Sequence, residues 1–243
     1  MDAQINKISF VVPVFNEEDN IVPLTEEISK VAEQLGFPWE AVYVDDCSSD
    51  RSLERIRALA DENEQIRYVS FVANRGQSMA LYAGFQHASG DVIVTLDADL
   101  QNDPADLIQM FQYYGKFDVV NGWRYNRKDT LSKKLASRFG NKVRNLMTNE
   151  TIRDTGCSLK ILNAAMVKRI KIFKGLHRFL PTLMRLEGAS VIEVKVNHRA
   201  RIHGESKYTN LRRGIEGFYD LVAVRWMIKR HLTFQVRETN INS

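Results

Sequence analysis

The chain has 243 residues, of which 44% are hydrophobic and 26% are charged, a composition typical of globular proteins and not of disordered or fibrous chains. Its two cysteines, Cys47 and Cys157, are too few for a disulfide framework and favour a reducing compartment. No apolar run reaches the roughly 18 residues of a membrane span, and the first residues lack the basic-then-apolar layout of a signal peptide, so we expect neither feature.

Charge is divided unevenly along the chain. Residues 1–120 hold 8 Lys and Arg against 21 Asp and Glu, for a net charge of −13, whereas residues 121–243 hold 26 against 9, for a net charge of +17. A basic half predicts an anionic partner. Nucleic acid, a membrane surface and a phosphorylated substrate are the candidates.

The first half alternates predicted strands with predicted helices. Apolar runs bounded by turn residues predict strands over 8–14, 41–44, 66–72 and 92–96. The segments that follow them, about 20–35, 51–62, 78–88 and 104–114, have the spacing and start signals of helices. Strict alternation of this kind predicts an α/β fold, with a mainly parallel sheet and helices on both of its faces.

Every one of these predicted strands ends in a polar cluster. The clusters are Asn16-Glu17, Asp45-Asp46, Asn74-Arg75-Gly76 and Asp97-Ala98-Asp99-Leu100-Gln101. An Asp-x-Asp sequence alone is equally typical of a solvated loop. The carboxyl ends of parallel strands, however, share one edge of the sheet, where open α/β sheets bind ligands. Four clusters at one edge therefore predict a binding site.

The residue types in these clusters indicate the kind of ligand. Carboxylate and amide oxygens suit Mg²⁺ or Mn²⁺, which bind through one or two carboxylates together with substrate phosphates. The sequence lacks the glycine-rich loops that cradle phosphates in dinucleotide- and ATP-binding proteins. Carboxylates near Asp46 can instead accept hydrogen bonds from a base and a ribose. We therefore predict a nucleoside diphosphate, held by its nucleoside at one end and by a divalent cation at the other.

The second half has the features of a phosphate site. A fifth predicted strand over 118–122 leads to Arg124, and arginine suits bidentate binding of phosphate. A basic segment over 131–144 has helical spacing. Four of its polar residues lie at i, i+3, i+4 and i+7 and so share one helical face: Lys134, Ser137, Arg138 and Asn141. Further on, Asp154 is an acidic residue in a basic half and a candidate catalytic carboxylate, and an alternating run over 191–197 predicts another strand.

Five segments of the sequence resemble family 2 inverting glycosyltransferases of the GT-A fold. They are residues 11–18, 44–50, 74–77, 96–101 and 198–208. The last is the most specific, since its His-Arg-x-Arg-x-x-Gly-x-Ser-Lys-Tyr pattern is similar to the branch that contains dolichol-phosphate mannose synthase and bacterial polyprenyl-phosphate glycosyltransferases. The usual family pattern Asn-x-Gly-Lys has Gln77 in its last position here, which leaves the base of the donor open.

The resemblance implies a role for particular residues. On the donor side it implies a nucleoside pocket and a diphosphate site with its metal. The nucleoside pocket would be lined by Pro13, Phe15, Glu17, Asp46 and Gln77. The metal and the diphosphate would lie among Asp97, Ala98, Asp99 and Gln101, with Asp99 and Gln101 the stronger metal ligands and Asp97 a supporting group, and with Arg201 and Lys207 closing over the leaving group. On the acceptor side the phosphate would be held by Arg124, Lys134, Ser137 and Arg138.

The resemblance also implies the reaction. We expect inverting transfer of a hexose-type sugar from GDP-mannose or a UDP-sugar to a polyprenyl phosphate, with Mg²⁺ or Mn²⁺, by a peripheral protein at the cytoplasmic face of a membrane. A phosphate monoester is largely dianionic at neutral pH and needs no strong base, so both a base role and an orienting role stay open for Asp154. A soluble or cell-envelope saccharide is the alternative acceptor. A nucleic-acid-binding module is a third possibility. Because it would leave the acidic residues at the strand ends without a function, we expect no nucleic acid partner.

Three segments are expected along the chain. Residues 1–208 would form the catalytic domain, with a nucleotide-sugar half over 1–120 and an acceptor half over 121–208. Residues 209–236 would form an amphipathic helix and residues 237–243 a disordered tail. The apolar residues of that helix recur at helical spacing, Leu211, Ile215, Phe218, Val222 and Trp226. We expect the start of this stripe to pack on the core and its later, basic part to contact a membrane surface, directly or beside a separate membrane-protein partner.

Overall fold

The computed structural model describes residues 5–125, 131–200 and 210–232, with the backbone alone for residues 131–139 and 210–215. Within these ranges the strands are β1 (Ile8–Val14), β2 (Trp39–Asp45), β3 (Ile66–Ser70), β4 (Val92–Thr95), β5 (Val119–Arg124), β6 (Lys160–Asn163) and β7 (Val191–Val196). The α-helices are α1 (Ile21–Leu35), α2 (Ser52–Glu62), α3 (Gln77–His87), α4 (Asp106–Met110), α5 (Leu131–Thr148), α6 (Ala164–Val167), α7 (Leu180–Leu186) and α8 (Asn210–Arg230). A short 3₁₀ turn over Leu176–Arg178 precedes α7.

The strands form one sheet with the order β3-β2-β1-β4-β6-β5-β7. Strand β1 pairs in parallel with β2 and β4, and β5 pairs in parallel with β7. Strand β6 alone runs in the opposite direction and lies between β4 and β5. The predicted α/β class with a mainly parallel sheet is therefore confirmed.

Strand β6 is the element that the sequence did not predict. The sequence pattern predicts no strand here, but Lys160 begins a four-residue strand that pairs with Thr95 on one side and Asn121 on the other. Lys160 is buried in the structure. Because lysine is usually exposed, its presence in a short apolar run conceals the strand pattern. The helix predicted over 104–114 is also shorter than expected, since regular α-helix ends at Met110 and turns follow it.

Both faces of the sheet are covered by hydrophobic cores. One core joins β1, β2 and β4 to α1 through residues such as Phe10, Val94 and Ile28, and the other packs α3, α7 and α8 against the opposite face. Helix α3 approaches β1 closely at Gly84, where a Cβ atom would overlap the Val11 side chain. Burial of both faces explains why the central strands read as continuous apolar runs rather than as alternating ones.

Helix α8 presents two different apolar faces. Leu221 and Val224 are buried in the second core. Phe218 and Trp226, from the later part of the predicted stripe, are 57% and 63% exposed. The side chains at the start of the stripe, Leu211 and Ile215, lie outside the described side chains. Among the described residues, no helix combines the length and apolar character that a membrane span requires.

A buried carboxylate ties the amino ends of the central strands together. Glu40 on β2 accepts hydrogen bonds from the hydroxyl of Ser9 at 2.7 Å and the backbone of Ser89 at 2.6 Å, and its other oxygen pairs with Lys7 at 3.0 Å and Arg67 at 3.2 Å. Burial alone would raise the pKa of Glu40, but these partners lower it from 4.5 to about 2. The folded state therefore stabilises the ionised carboxylate.

We expect Glu40→Gln to lower the free energy of unfolding by about 3 kcal/mol at neutral pH, as a pKa shift of this size implies. Because the carboxyl is protonated more readily in the unfolded chain than in the folded one, the wild type loses this stabilisation as the pH falls from 4.5 towards about 2. Denaturant unfolding across that pH range should show the two curves converging. Glu26→Gln, at an exposed position of α1, is the control. A difference in stability between wild type and Glu40→Gln that did not depend on pH would contradict the prediction.

Candidate active site

The predicted site residues whose side chains the structure describes lie at or near one edge of the sheet. The carboxyl ends of β1, β2, β4 and β5 lie there, and because β6 is antiparallel its amino end lies at the same edge. This edge therefore collects the loop after β1, the Asp45-Asp46 pair, the Asp97–Gln101 segment, Arg124 and the loop that leads into β6.

Asp46 links the end of β2 to the start of α3. Its carboxylate accepts hydrogen bonds from the backbone N–H groups of Arg75 at 2.6 Å and Gly76 at 2.8 Å. Burial raises the pKa of Asp46 and these two hydrogen bonds oppose the rise. The neighbouring Asp45 accepts hydrogen bonds from Ser48 and Ser70. Both carboxylates thus order the loops at this edge of the sheet, and contact of Asp46 with a nucleoside stays a prediction.

The loop after β1 is held against the loop after β2. Asn16 has a left-handed backbone, with φ of 55°. Its N–H donates to the Ser48 hydroxyl at 3.0 Å and its side-chain oxygen accepts the N–H of Ser49 at 2.7 Å. The Glu17 N–H donates to Ser52 at 2.8 Å. These contacts fix the segment that carries Pro13, Phe15 and Glu17, the residues expected to line the nucleoside pocket.

Asp97 and Asp99 follow β4 directly and lie at the centre of the edge. The Gln77 amide donates to Asp97 at 2.7 Å, which joins a predicted nucleoside residue to a predicted diphosphate residue. Asp99 is only 7% exposed and accepts the backbone N–H of Gln101 at 3.2 Å. Burial and the nearby Asp99 carboxylate raise the pKa of Asp97 to about 6.

A carboxylate whose pKa is raised by burial and by a neighbouring carboxylate, as that of Asp97 is, lies in a site suited to a cation. Among the described residues no group of three or more His, Cys, Asp or Glu side chains is placed to hold a metal ion. A divalent cation of the magnesium type needs only one or two carboxylates when substrate phosphates and water supply its other ligands. The donor set of Asp97, Asp99 and the amide of Gln101 therefore fits such a cation.

Arg124 and Asp154 form a bidentate ion pair at the acceptor side of the edge. The guanidinium donates from Nε to Oδ2 at 2.8 Å and from one terminal nitrogen to Oδ1 at 2.9 Å, and each side chain is 15% exposed. Burial alone would raise the pKa of Asp154, but Arg124 lowers it. Burial likewise opposes the charge of Arg124, and Asp154 raises the pKa of that guanidinium. Arg124 also lowers the pKa of Asp97 electrostatically, so the pair lies close to the carboxylates after β4.

Three polar residues that the sequence did not single out support the loop around Asp154. They are Asn121 on β5, Lys160 on β6 and Glu193 on β7, which are neighbouring strands of the sheet. Asn121 and Lys160 are fully buried. A lysine between Leu159 and Ile161 was the signal that could have revealed a buried polar position.

A cavity of about 500 Å³ opens beside β5 and α5, lined by Trp123, Asn141, Lys142, Asn145 and Arg153. The Arg153 guanidinium stacks on the Trp123 ring at 4.6 Å. Among the described residues, neither Lys142 nor Arg153 has a carboxylate at ion-pair distance, so this cavity is electropositive. Asn141 is the one residue of the predicted α5 face whose side chain the structure describes.

The structure does not describe the side chains of the other residues that were predicted to hold the acceptor phosphate or to close over the leaving group. Helix α5 spans Leu131–Thr148, so the helix predicted for Lys134, Ser137 and Arg138 is confirmed, but their side chains lie outside the described residues. Arg201 and Lys207 also lie outside the described residues, and so does the expected tail.

Solved structures with the same fold define the class of protein. Glucosyl-3-phosphoglycerate synthase from Mycobacterium tuberculosis, in complex with phosphoglyceric acid, superposes with a TM-score of 0.67 over 92% of this chain and 80% of that chain, at 18% identity. The same enzyme in complex with Mn²⁺, uridine diphosphate and glucosyl-3-phosphoglycerate has a TM-score of 0.64, over 92% and 77%. The fold is thus that of a GT-A glycosyltransferase, as predicted.

The sequence places the chain within that class. Residues 9–171 match the family model described as glycosyl transferase family 2, and the chain belongs to this family. It is 39% identical to an undecaprenyl-phosphate 4-deoxy-4-formamido-L-arabinose transferase of Pectobacterium carotovorum, over 91% of this chain and 68% of that protein. It is 36% identical to a dodecaprenyl-phosphate galacturonate synthase of Rhizobium johnstonii, over 93% and 69%. The predicted family, its polyprenyl-phosphate branch and glycosyltransferase activity are confirmed.

Proposed function

We propose that this protein transfers a sugar from a nucleoside diphosphate to a polyprenyl phosphate, with inversion at the anomeric carbon. The observation that carries the proposal is the Arg124–Asp154 ion pair beside Asp97, which sets a fixed cationic group next to the carboxylates of the donor site. The names of relatives that align over about nine-tenths of the chain support a polyprenyl phosphate as the acceptor.

The donor would lie across the strand ends from β2 to β4. Its nucleoside would contact Phe15, Glu17 and Asp46. Gln77, whose amide donates a hydrogen bond to Asp97, would connect the nucleoside pocket to the diphosphate site. A uridine donor is the first candidate, because the structural neighbour binds uridine diphosphate. GDP-mannose stays the second candidate, since the position of Gln77 departs from the family pattern.

A divalent cation would be held by Asp99, the amide of Gln101 and Asp97. When bound, such a cation supplies positive charge that stabilises the departing diphosphate. The neighbour's complex with Mn²⁺ and uridine diphosphate supports this choice of cofactor. The raised pKa of Asp97 supports it independently, because a cation would relieve the repulsion that Asp97 experiences from the nearby, buried Asp99 carboxylate.

The acceptor phosphate would bind from the side of Arg124 and α5. Arg124 presents a guanidinium whose orientation is fixed by two hydrogen bonds to Asp154. The cavity with Lys142 and Arg153 is lined by α5 and by Trp123, the residue before Arg124, and Lys134, Ser137 and Arg138 belong to the same helix α5. A net charge of +17 over residues 121–243 favours an anionic substrate in this half.

The acceptor phosphate itself would be the nucleophile. Its oxygen attacks the anomeric carbon on the face opposite the diphosphate, the bond from that carbon to the diphosphate oxygen breaks, and the diphosphate leaves with the electron pair. A dianionic phosphate needs no general base. Asp154 is a weak base because Arg124 lowers its pKa, so we assign it an orienting role towards Arg124. Positioning and electrostatics would then supply most of the rate enhancement.

The exposed face of α8 would contact the membrane surface in which the lipid acceptor lies. Phe218, Val222 and Trp226 are exposed on this face, and the basic Lys229 and Arg230 follow in the last turn. Aromatic and cationic side chains together are typical of helices that lie in the membrane interface. On this basis we propose a peripheral position at the cytoplasmic leaflet, with or without a separate membrane-protein partner.

The test is a transfer assay with each acceptor type in turn. The purified protein is incubated with radiolabelled UDP-sugars or GDP-mannose, undecaprenyl phosphate in detergent, and Mn²⁺ or Mg²⁺. We expect label to enter the organic phase on solvent partition, and to stay out of it when undecaprenol without phosphate replaces the acceptor. Label that enters only a water-soluble saccharide would contradict the proposed acceptor and favour the alternative glycosyltransferase reaction.

A further inference from the structure

The loop that carries Asp154 rests on a polar network of two fully buried side chains and one half-buried carboxylate. Its three side chains come from three neighbouring strands, in the spatial order β6, β5 and β7. They are Lys160, Asn121 and Glu193, and each of them bonds to the backbone of the loop over residues 153–157. A loop held through its backbone has a fixed course that does not depend on the side chains it carries.

Glu193 holds the amino side of Asp154. Its carboxylate accepts the backbone N–H of Arg153 at 2.8 Å and the backbone N–H of Asp154 at 3.0 Å. Asn121 holds the carbonyl side, since its amide donates to the Asp154 carbonyl at 3.0 Å and also reaches Glu193 at 3.4 Å. Asp154 is therefore fixed at both its N–H and its C=O group, and its side chain alone is left to contact Arg124.

Lys160 holds the rest of the loop from beneath. Its ammonium donates to the Asn121 side-chain oxygen at 2.6 Å, to the Thr155 carbonyl at 3.3 Å and to the Cys157 carbonyl. Three acceptors match the three N–H bonds of an ammonium. Burying an ammonium without a direct carboxylate partner is costly, and burial lowers the pKa of Lys160. The buried Lys160 ammonium therefore lies where its hydrogen bonds fix the loop.

The consequence of the network is the geometry of Arg124. Asp154 binds the guanidinium in a bidentate manner that depends on where the Asp154 backbone lies. A shift of this backbone would lengthen or misalign one of the two parallel hydrogen bonds, which are 2.8 and 2.9 Å long. Glu193 itself makes no contact with Arg124, so any influence that it has on the guanidinium passes through Asp154.

We propose that Glu193 is a positioning residue for the acceptor side of the transfer reaction, and that it acts through the backbone of Asp154 on Arg124, with Asn121 and Lys160 completing the support. This inference rests on the proposed function, because it requires Arg124 to act on the acceptor phosphate. In this proposal the Arg124–Asp154 pair is supported by side chains from three neighbouring strands, β6, β5 and β7.

The test is the kinetics of Glu193→Gln with undecaprenyl phosphate as the acceptor. Glutamine keeps one acceptor oxygen and loses the negative charge, so the Arg153 N–H loses its shorter bond, at 2.8 Å to Oε2, and the bonds from both loop N–H groups to the remaining oxygen are no longer charge-assisted. Loss of one charge-assisted hydrogen bond predicts a decrease in kcat of about tenfold. KM for the nucleotide sugar should change by less than about twofold, because the donor residues lie on other strands. Glu187→Gln, at the residue after α7, removes a carboxylate that is paired with Arg169 at 2.9 Å outside this network, and this matched control should keep wild-type kinetics.

A double variant separates positioning from general support of the fold. In an Arg124→Gln background the effect of Glu193→Gln on kcat should disappear, since the group that Glu193 positions is absent. Glu193→Asp keeps the charge but shortens the side chain, and should lower kcat to a similar extent. This second variant decides the question if Glu193→Gln does not fold.

Two outcomes would overturn the inference. The first is an unchanged kcat in the folded Glu193 variants, and the second is a loss that persists fully in the Arg124→Gln background. Failure of the proposed function is distinguishable from both. A wild-type protein that transfers no sugar to undecaprenyl phosphate would overturn the proposed function and this inference together, whereas an active wild type with unaffected variants would overturn the inference alone.

Discussion

Asp99→Ala is expected to lower sugar transfer by about 10³-fold or more, because a metal-held diphosphate accounts for several kcal/mol of the charge stabilisation in the transition state. Asp99 is 7% exposed and its carboxylate accepts the N–H of Gln101, which orders the segment after β4. The loss should appear in kcat with saturating donor and acceptor. Asp61→Ala, at an exposed position on α2, is the control for removal of a negative charge and should keep full activity.

A binding measurement gives this prediction a readout besides activity. Ligands that bind the native state raise the melting temperature, so uridine diphosphate should stabilise the wild type more in the presence of Mn²⁺ than in its absence. In Asp99→Ala the increment that Mn²⁺ adds should vanish. A variant that keeps both the increment and wild-type turnover would remove Asp99 from the metal site.

Arg124→Gln and Asp154→Asn are expected to have the second largest effects. Each variant leaves one charged group of a largely buried pair without its partner, which lowers stability by about 2–4 kcal/mol. Each should also lower transfer by about 10²-fold, the usual effect of removing one group that stabilises developing or bound negative charge. Denaturant unfolding and steady-state kinetics measure the two effects separately.

The double variant Arg124→Gln/Asp154→Asn distinguishes the two roles that remained open for Asp154. If Asp154 orients Arg124, the double variant should be no less active than Arg124→Gln and more stable than either single variant, because two neutral amides can pair. If Asp154 were instead a general base, activity would fall further in the double variant, and the rate of Arg124→Gln would depend steeply on pH as Asp154 titrates.

The parallel part of the fold follows from local patterns in the sequence. Strand β1 was predicted over its full length, and helix α1 begins and ends where the predicted helix does, with Gly36 in the left-handed conformation at its end. These elements are predictable because apolar residues at strand or helix spacing meet clear stop signals. Strand β6 escaped prediction because its pairing is with β4 and β5, far away in sequence, and its first residue is a lysine.

The site was predictable in its residue types but not in its contacts. The strand-end pattern brought Asp97, Asp99 and Arg124 to one edge, as the structure shows. It did not indicate that the Asp46 carboxylate is bound by the backbone of the next loop, or that Asp154 is bound by Arg124. Such pairings depend on distances between segments, and a single sequence does not encode these distances in a local pattern. The same limit concealed Glu193, which reads only as an ordinary polar residue in an alternating strand.

The position of β6 has a consequence for how the two halves of the chain depend on each other. The acidic half supplies β4 and the basic half supplies β6, which pairs with β4 through four residues from Val92 to Thr95. A fragment that stopped at residue 120 would leave the backbone groups of β4 unsatisfied along one side, as an exposed sheet edge prone to aggregation. The first four strands and the last three are thus joined in one sheet through the β4–β6 pair, so we expect neither half of the chain to fold as a separate module.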